Sequence, residues 1–226
     1  MPPFPPIPGA PPLPAAWPYA LRPALTPLTR VEGADLPGLG PGWTFVGDPA
    51  RMPAGEPEGL GGAFGRGGVF RCGAAVIRPY RRGGLVRHLN GRVYPGPGRF
   101  AQELAVHRAL WEAGFPTVEP LGFAFRPRLW GCEGAYLTRL APGDPWPRTW
   151  APEALPAVRG LLAALCAWGL HAPDLNATNF MVGPDGVLAL DWDRARWTQA
   201  GDLFARYKAR LDRSLRKLHA PDGFVI

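Results

Sequence analysis

The sequence has no uninterrupted apolar run of about eighteen residues, the length that a membrane-spanning helix needs. Its first residues also lack the basic start and apolar stretch of a secretory signal peptide. Cysteine is scarce, and Cys72, Cys132 and Cys166 lie far apart, which suits neither a disulfide framework nor a zinc site. These absences favour a cytoplasmic, reducing location.

Glycine and proline are abundant, at 30 residues each among 226, but they are unevenly spread. Eleven of the prolines lie in residues 1 to 27, where charge is almost absent. Proline fixes its backbone angle and lacks an amide hydrogen, so it cannot continue a helix or a central strand. We expect residues 1–40 to be a proline-rich arm, followed by two small lobes over 41–140 and 141–226.

The net charge is +7, carried mainly by arginine, and the isoelectric point is near 9.9. A basic chain of this kind favours an acidic partner, such as a nucleotide, a nucleic acid or an anionic lipid. Charge by itself does not choose among these.

One stretch, residues 171–193, carries a pattern typical of phosphoryl transfer. Asp174 is followed five residues later by Asn179, and Asp191 comes twelve residues after that at the end of an apolar run. Mg²⁺ takes hard oxygen ligands, one or two from carboxylates and the rest from phosphates and water, which suits Asn179 and Asp191. Asp174 can accept a proton from an attacking hydroxyl, as the Asp of a kinase catalytic loop does.

The alternative interpretation of this stretch is a polar turn in which Asp174 and Asn176 cap backbone groups. The context favours a phosphoryl-transfer site over a polar turn, because a helical pattern over 153–168 precedes the stretch. Two strand-like runs joined by Gly183–Gly186 follow it.

Upstream residues occur in the order that a kinase requires. Gly65 and Gly67 would let backbone amides approach phosphates, although loose hairpin glycines explain them nearly as well. The run from Ala74 to Arg78 is similar to the kinase strand Val-Ala-Ile-Lys, with Arg78 in place of the lysine. A clear helix over 100–113 then offers Glu103 as the ion-pair partner of Arg78, the alternative being a solvent-facing glutamate.

Two further sets of residues are candidate binding groups. The basic stretch that includes Arg81, Arg82 and Arg87 is interpreted either as a clamp for an anionic sugar or lipid phosphate, or as a solvated loop. The strand over 136–140 is expected to lead into a crossover between lobes, where backbone groups of Leu137 and Thr138 would meet the adenine ring. A turn over 126–133 is expected before this strand.

We expect the segment after Asp193, residues 194–226, to lack the peptide-binding parts of a protein kinase. It has no activation segment and no Ala-Pro-Glu motif, and its main feature is a basic amphipathic helix over 197–218. A small-molecule or lipid-linked acceptor is therefore favoured. The helix is expected to pack on the second lobe, with a membrane-surface role as the alternative.

The combination of these motifs resembles the lipopolysaccharide kinase family of the protein-kinase-like superfamily, and within it the branch that phosphorylates 3-deoxy-D-manno-octulosonic acid (Kdo). The resemblance covers about residues 60–218 and rests on Tyr80–Leu85, Asp174–Asn179, Asp191–Arg194 and Arg213–Leu218. In that family a similar Tyr-x-Arg-Gly-Gly sequence follows the strand cation.

The resemblance implies an α+β, two-lobed kinase-like fold with a small β-rich N-lobe and a truncated helical C-lobe. It implies ATP and Mg²⁺ as cofactors and an anionic sugar or glycolipid as acceptor, without nucleic acid. The expected protein is a monomer, cytoplasmic or peripheral at the cytoplasmic face of the inner membrane. By the same resemblance Asp174 is the base, Asn179 and Asp191 are metal ligands, Asp193 assists the metal, and Arg78 with Glu103 orients phosphates.

Two other functions stay open at this point. The same fold could phosphorylate a heptose, another glycolipid or an aminoglycoside. Alternatively, the chain could be a non-catalytic basic module that binds anionic membrane or nucleic acid.

Overall fold

The computed structural model describes residues 9–60, 68–81, 93–199 and 201–226. The chain divides into two compact units. The sheet unit contains Ala24–Ala105 and Glu119–Leu140, and the helical unit contains Pro8–Pro23, Val106–Val118 and Ala141–Ile226. Over the described residues the protein is of the α+β class, with one large antiparallel sheet and four helices.

The sheet unit is built on seven antiparallel strands in the order β1-β2-β6-β7-β5-β4-β3. Their bounds are β1 Thr29–Leu36, β2 Gly40–Gly47, β3 Glu58–Gly59, β4 Phe70–Cys72, β5 Ala75–Pro79, β6 Pro120–Arg128 and β7 Gly131–Arg139. β1 lies inside the range 1–40 assigned to the arm, so the sheet begins earlier than the sequence predicts. The reason is that β1 pairs with β2 from Thr29↔Gly47 onward, downstream of the proline cluster.

The hairpin of β6 and β7 corrects a second expectation. A turn was expected over 126–133, but Arg126 pairs with Glu133 across the two strands, and the connection is only Leu129 and Trp130. An ion pair from Arg126 Nη2 to Glu133 Oε2, at 3.0 Å, bridges the two strands at this point. The long hairpin buries the centres of both strands in the core of the unit.

Both faces of this sheet carry buried side chains. One face packs Trp43, Phe45, Ile77 and Leu137 together. The other packs aromatic side chains of the strands against the first turns of helix α1 (Gly98–Glu112), through Phe100 and Leu104. The boundary between the two units falls within α1, between Ala105 and Val106.

The helical unit contains the remaining elements. These are β8 Asp144–Pro145, α2 Trp146–Thr149, α3 Ala154–Ala167, β9 Leu170–His171, β10 Phe180–Gly183, β11 Gly186–Ala189, β12 Arg196–Trp197 and α4 Leu203–Lys217. β11, β10 and β8 form one small sheet, and β12 and β9 form another. α3 buries the apolar stripe predicted for it, and Gly169, with φ 68°, ends that segment of chain in a left-handed turn.

Helix α4 is shorter than the sequence predicts. Trp197, which the periodicity placed at the start of the helix, pairs instead with β9, and together with Arg196 it forms strand β12. The helix begins after Asp202, whose side chain accepts a hydrogen bond from the amide of Ala205 at 3.0 Å. Its apolar face, which includes Tyr207 and Leu211, is buried in the core of the helical unit. That apolar face is therefore not presented for insertion into a membrane. Within the described residues, no helix combines the length and apolarity needed to span a bilayer.

Residues 9–23 of the proline-rich segment belong to the helical unit and pack against its other elements. The indole nitrogen of Trp17 donates a hydrogen bond to the carbonyl of Ala113 at 2.7 Å, and that of Trp168 donates to the carbonyl of Pro11 at 3.1 Å. The ring of Trp17 contacts that of Trp168, and Trp168 contacts Trp197. The segment has no helix or strand over residues 9–28, as its prolines predict.

Candidate active site

Arg78, in β5, and Glu103, in α1, form a partly buried ion pair in the sheet unit. Arg78 Nη2 lies 2.6 Å from Glu103 Oε1, and the Glu103 side chain is fully enclosed. The hydroxyl of Tyr80 donates a hydrogen bond to the other oxygen of Glu103, Oε2. The guanidinium of Arg78 also lies over the rings of Tyr80 and Tyr136, at 5.1 Å and 5.7 Å.

The surroundings of Tyr80 keep its hydroxyl protonated. Burial, followed by the negative charge of Glu103, raises the pKa of Tyr80 well above its ordinary value. The hydroxyl therefore remains a donor to the carboxylate. One side of Glu103 is fixed by a cation and the other by a neutral donor, so the carboxylate has a defined orientation.

The 171–179 loop is held by helix α4. The hydroxyl of Tyr207 donates to the carbonyl of Leu170 at 2.7 Å and accepts from the amide of Ala172 at 2.9 Å. Seven residues further along the helix, Ser214 Oγ accepts from the amide of Ala177 at 3.2 Å. Burial raises the pKa of Tyr207, so its hydroxyl keeps the proton that the contact with Leu170 requires.

His171 lies at the start of this loop. Burial lowers the pKa of His171, and the positive charges of Arg196 and Arg206 lower it further. The ring makes an edge contact with Tyr207, with centroids 6.3 Å apart. His171 is thus a neutral side chain packed at the base of the loop.

Asn176 and Asn179 close the loop by capping each other. The Asn176 side chain accepts from the amide of Thr178 at 3.0 Å, and the Asn179 side-chain oxygen accepts from the amide of Asn176 at 2.9 Å. The capping interpretation therefore applies to Asn176. It does not apply to Asp174, whose carboxylate makes no backbone hydrogen bond within the part of the chain that the structure describes.

The carboxylate of Asp174 faces two arginines. Arg194 Nη1 lies 3.8 Å from Oδ2, and Arg210 Nη2 lies 3.5 Å from Oδ1. All three side chains are partly exposed, with 33% of the Asp174 side chain accessible, 58% of Arg194 and 42% of Arg210. Arg210 Nη2 is also 3.5 Å from the carbonyl oxygen of Asp174.

The β10–β11 hairpin brings Asn179 and Asp191 to one end of the same sheet. Phe180 pairs with Ala189, and the amide of Leu190 donates to the carbonyl of Asn179 at 2.7 Å. Asp191 is the next residue and has φ 65°, a left-handed conformation that costs free energy for a residue with a side chain. The amide of Asp193 lies 3.4 Å from Asp191 Oδ1.

The residues with oxygen donors near this hairpin end are Asn179 and Asp191, with Asp193 two residues further along the chain. The oxygen of Asn179 already accepts one hydrogen bond and has a second lone pair. Hard oxygen donors of this number fit Mg²⁺ that is shared with phosphates, and do not fit zinc. Within the described ranges, no three His, Cys, Asp or Glu side chains are grouped to hold a metal by themselves.

A buried network below the hairpin fixes the backbone between the two aspartates. The indole of Trp192 donates to Thr117 Oγ1 at 3.0 Å, and Thr117 Oγ1 donates to the carbonyl of Ala189 at 2.8 Å. His107 Nε2 lies 3.0 Å from Thr117 Oγ1 and 2.8 Å from the carbonyl of Val118. Because the Thr117 proton is directed to Ala189, His107 Nε2 carries a proton and donates.

The remaining predicted site residues fall into two groups. Leu137 and Thr138 lie in β7, which is paired on both sides by β5 and β6, so the structure does not present their backbone groups at a sheet edge. Arg81 is exposed and its guanidinium lies close to Gly68. Gly65, Gly67, Arg82 and Arg87 lie outside the described residues.

Sequence reasoning missed Arg194 and Arg210 as neighbours of Asp174, and Tyr207 and Ser214 as supports of the loop. A signal existed for three of them: Tyr207, Arg210 and Ser214 are spaced by three and four residues and therefore share a helix face. No local sequence pattern indicates that Thr117 lies beneath the hairpin.

No protein-family model matches the chain, and no curated protein matches it at a significant level. The resemblance to lipopolysaccharide kinases thus rests on the motifs named above.

Proposed function

We propose that this protein is an ATP-dependent kinase that transfers the γ-phosphoryl group to a hydroxyl of an anionic sugar, in the first place the 4-hydroxyl of Kdo in the lipopolysaccharide inner core. The observation that carries the proposal is the 171–193 segment. There an accessible carboxylate, Asp174, lies on a loop that leads into a hairpin with Asn179 and Asp191 at its end.

The proposal gives each residue a role. Asp174 accepts the proton of the acceptor hydroxyl, whose oxygen forms a bond to the γ-phosphorus while the bond to the ADP oxygen breaks. Asn179 and Asp191, with Asp193, would hold Mg²⁺, which supplies charge neutralisation for the phosphates. Arg78, oriented by the enclosed carboxylate of Glu103, supplies a fixed cation for a nucleotide phosphate.

The test is the substitution Asp174→Ala, with Asp185→Ala as a matched control. Asp185 is an exposed aspartate in the turn between β10 and β11. Transfer from labelled ATP to Kdo-lipid A should fall by about 10² or more in Asp174→Ala, because the proton acceptor is lost, and should persist in Asp185→Ala. Calorimetry should show that Asp174→Ala still binds Mg²⁺-ATP.

Full turnover by Asp174→Ala on every acceptor tried would refute its assignment as the base. A failure of the wild-type protein to bind Mg²⁺-ATP would refute the kinase function and favour a non-catalytic basic module.

A second candidate function is the same transfer to a cationic aminoglycoside. Cationic acceptors favour acidic clefts, whereas Asp174 is flanked by Arg194 and Arg210, which favours an anionic acceptor. Measuring transfer to Kdo-lipid A and to kanamycin under the same conditions separates the two.

A further inference from the structure

Two arginines face the carboxylate of Asp174 at distances longer than a charge-assisted hydrogen bond. Such bonds measure about 2.7–2.9 Å, whereas Arg210 and Arg194 lie 3.5 Å and 3.8 Å from the Asp174 oxygens. Exposed ion pairs of this kind contribute little to stability. A stabilising ion pair is therefore a poor explanation for two arginines at one aspartate.

The fold nevertheless fixes the backbone positions from which both arginine side chains extend. Arg194 has φ 62°, and it follows two residues after the fully buried Trp192. Arg210 lies one turn after Tyr207, whose hydroxyl is bonded to the loop on both sides of His171. Both arginines are thus carried by backbone that is anchored to the core of the helical unit.

The donor capacity of these arginines is largely unused within the described residues. The polar contacts of both guanidinium groups are to Asp174 alone, and Nε of Arg210 is buried without a hydrogen-bond partner. A guanidinium has five N–H donors in a planar fork that matches the two oxygens of a carboxylate or phosphate. Two cations beside one carboxylate also leave one positive charge in excess.

We propose that Arg194 and Arg210 bind an oxyanion of the acceptor sugar, a carboxylate or a phosphate group, and thereby hold its hydroxyl beside Asp174. The inference rests on the proposed function and names the residues that select the substrate. A bound oxyanion accepts hydrogen bonds from the two guanidinium groups, which in its absence face Asp174 at 3.8 Å and 3.5 Å. Asp174 is then left facing the hydroxyl of the acceptor.

Selectivity for anionic sugars follows from this arrangement. A neutral sugar would leave the two guanidinium groups paired with Asp174 and would gain no charge-assisted contact. Recognition by such contacts discriminates more strongly than apolar contact does, because a mismatched ligand leaves charged groups without partners.

The experiment compares Arg194→Gly and Arg210→Ala with the control Arg213→Ala. Arg213 is an exposed arginine of α4, so the control removes the same charge from the same helix. Glycine suits the left-handed backbone of residue 194 and alanine suits a helix, so neither change should lower the urea midpoint. Ligand-observed NMR titrations without ATP would use Kdo as a sugar acid, glucose 6-phosphate as a sugar phosphate, and glucose as a neutral sugar.

The wild type and Arg213→Ala should bind at least one of the two anionic sugars, and should bind glucose more weakly. Arg194→Gly and Arg210→Ala should each raise the Kd for that anionic sugar about tenfold or more, because a charge-assisted contact is lost. Binding of Kdo alone identifies a carboxylate acceptor, and binding of glucose 6-phosphate alone identifies a phosphate acceptor. Arg210→Lys should recover only part of the affinity, since lysine restores the charge without the fork.

Equal affinity for the anionic sugar in wild type, Arg194→Gly and Arg210→Ala would overturn the inference, as would a wild-type protein that binds neither anionic sugar. Transfer from labelled ATP by the wild type is measured alongside. If transfer occurs and the two variants keep the acceptor KM of the wild type, the kinase function stands and the inference fails. If anion binding depends on the two arginines but Mg²⁺-ATP neither binds nor reacts, it is the proposed function that fails.

Discussion

Glu103 and Asp174 are both carboxylates that face arginine, yet their surroundings are opposite. Glu103 is fully enclosed, with Arg78 at 2.6 Å and Tyr80 on its second oxygen. A third of the Asp174 side chain is accessible, and its arginines stand at 3.5 Å and 3.8 Å. Both oxygens of Glu103 therefore have short contacts inside the protein. Asp174 is accessible to solvent and can exchange its partners.

The difference in burial distinguishes a carboxylate that stabilises the fold from one that is available to react with a ligand. An enclosed charge cannot lose its partner without a large desolvation penalty, so the contact of Glu103 is part of the structure of the sheet unit. An accessible carboxylate is solvated whether or not its partners are present, so Asp174 can be changed at small cost to the fold. Groups that react with a ligand are expected to be of the second kind.

Substitution of Glu103 should give the largest loss of stability. Glu103→Ala removes the carboxylate that both Arg78 and the hydroxyl of Tyr80 contact, and we expect the free energy of unfolding to fall by about 3 kcal/mol. Urea denaturation would measure it. The control is Glu58→Ala, which breaks the exposed 2.6 Å pair with Arg71 in the same sheet and should cost under about 1 kcal/mol. Equal losses of unfolding free energy in Glu103→Ala and Glu58→Ala would contradict the distinction between enclosed and exposed carboxylates.

Removal of the Tyr80 hydroxyl should have a smaller effect that depends on pH. Tyr80→Phe keeps the ring and removes the donor to Glu103, which should cost about 1 kcal/mol at pH 8.

The pKa of Tyr80 is raised in the folded state, so the unfolded chain releases this proton first as the pH rises above about 10. The stability that the hydroxyl contributes is present below that pH and is lost above it. The difference between wild type and Tyr80→Phe should therefore shrink between pH 8 and pH 10.5 in urea titrations. A constant or growing difference would show that Tyr80 does not hold its proton more tightly in the folded protein.

The smallest effect on stability is expected at Asp174. Asp174→Asn should change the free energy of unfolding by less than about 1 kcal/mol, because the arginines around it stay solvated. Thermal and urea unfolding would measure the change next to the transfer assay. A loss as large as that of Glu103→Ala would mean that Asp174 is a structural ion-pair partner.

Much of the fold can be predicted from periodicity and turn residues. The apolar stripe of α3 and the Gly183–Gly186 turn between β10 and β11 are local signals, and the structure has both elements. The contact between Arg78 and Glu103, predicted from their order along the chain, is present as well. Its part in phosphate binding stays a prediction.

The wrong predictions have a common cause: pairing between residues far apart in the chain overrides the structure that the local sequence pattern favours. Trp197 fits the helical period of α4 but pairs with β9. Arg126 lies in a stretch interpreted as a turn, yet it pairs with Glu133 across a hairpin. Asp191 and Arg194 have a left-handed backbone on either side of Trp192 and Asp193, and Trp192 is buried against Thr117, which is far away in the chain.

The packing of residues 9–23 within the helical unit has an optical consequence. The centroids of the Trp17 and Trp168 rings are 5.1 Å apart, and those of Trp168 and Trp197 are 5.5 Å apart. Indoles this close share their electronic excitation, so the chain contains its own exciton-coupled chromophore. Detachment of the segment would remove one indole from the trio and change the near-ultraviolet circular dichroism. The attachment of residues 9–23 can thus be followed in the native protein without any label.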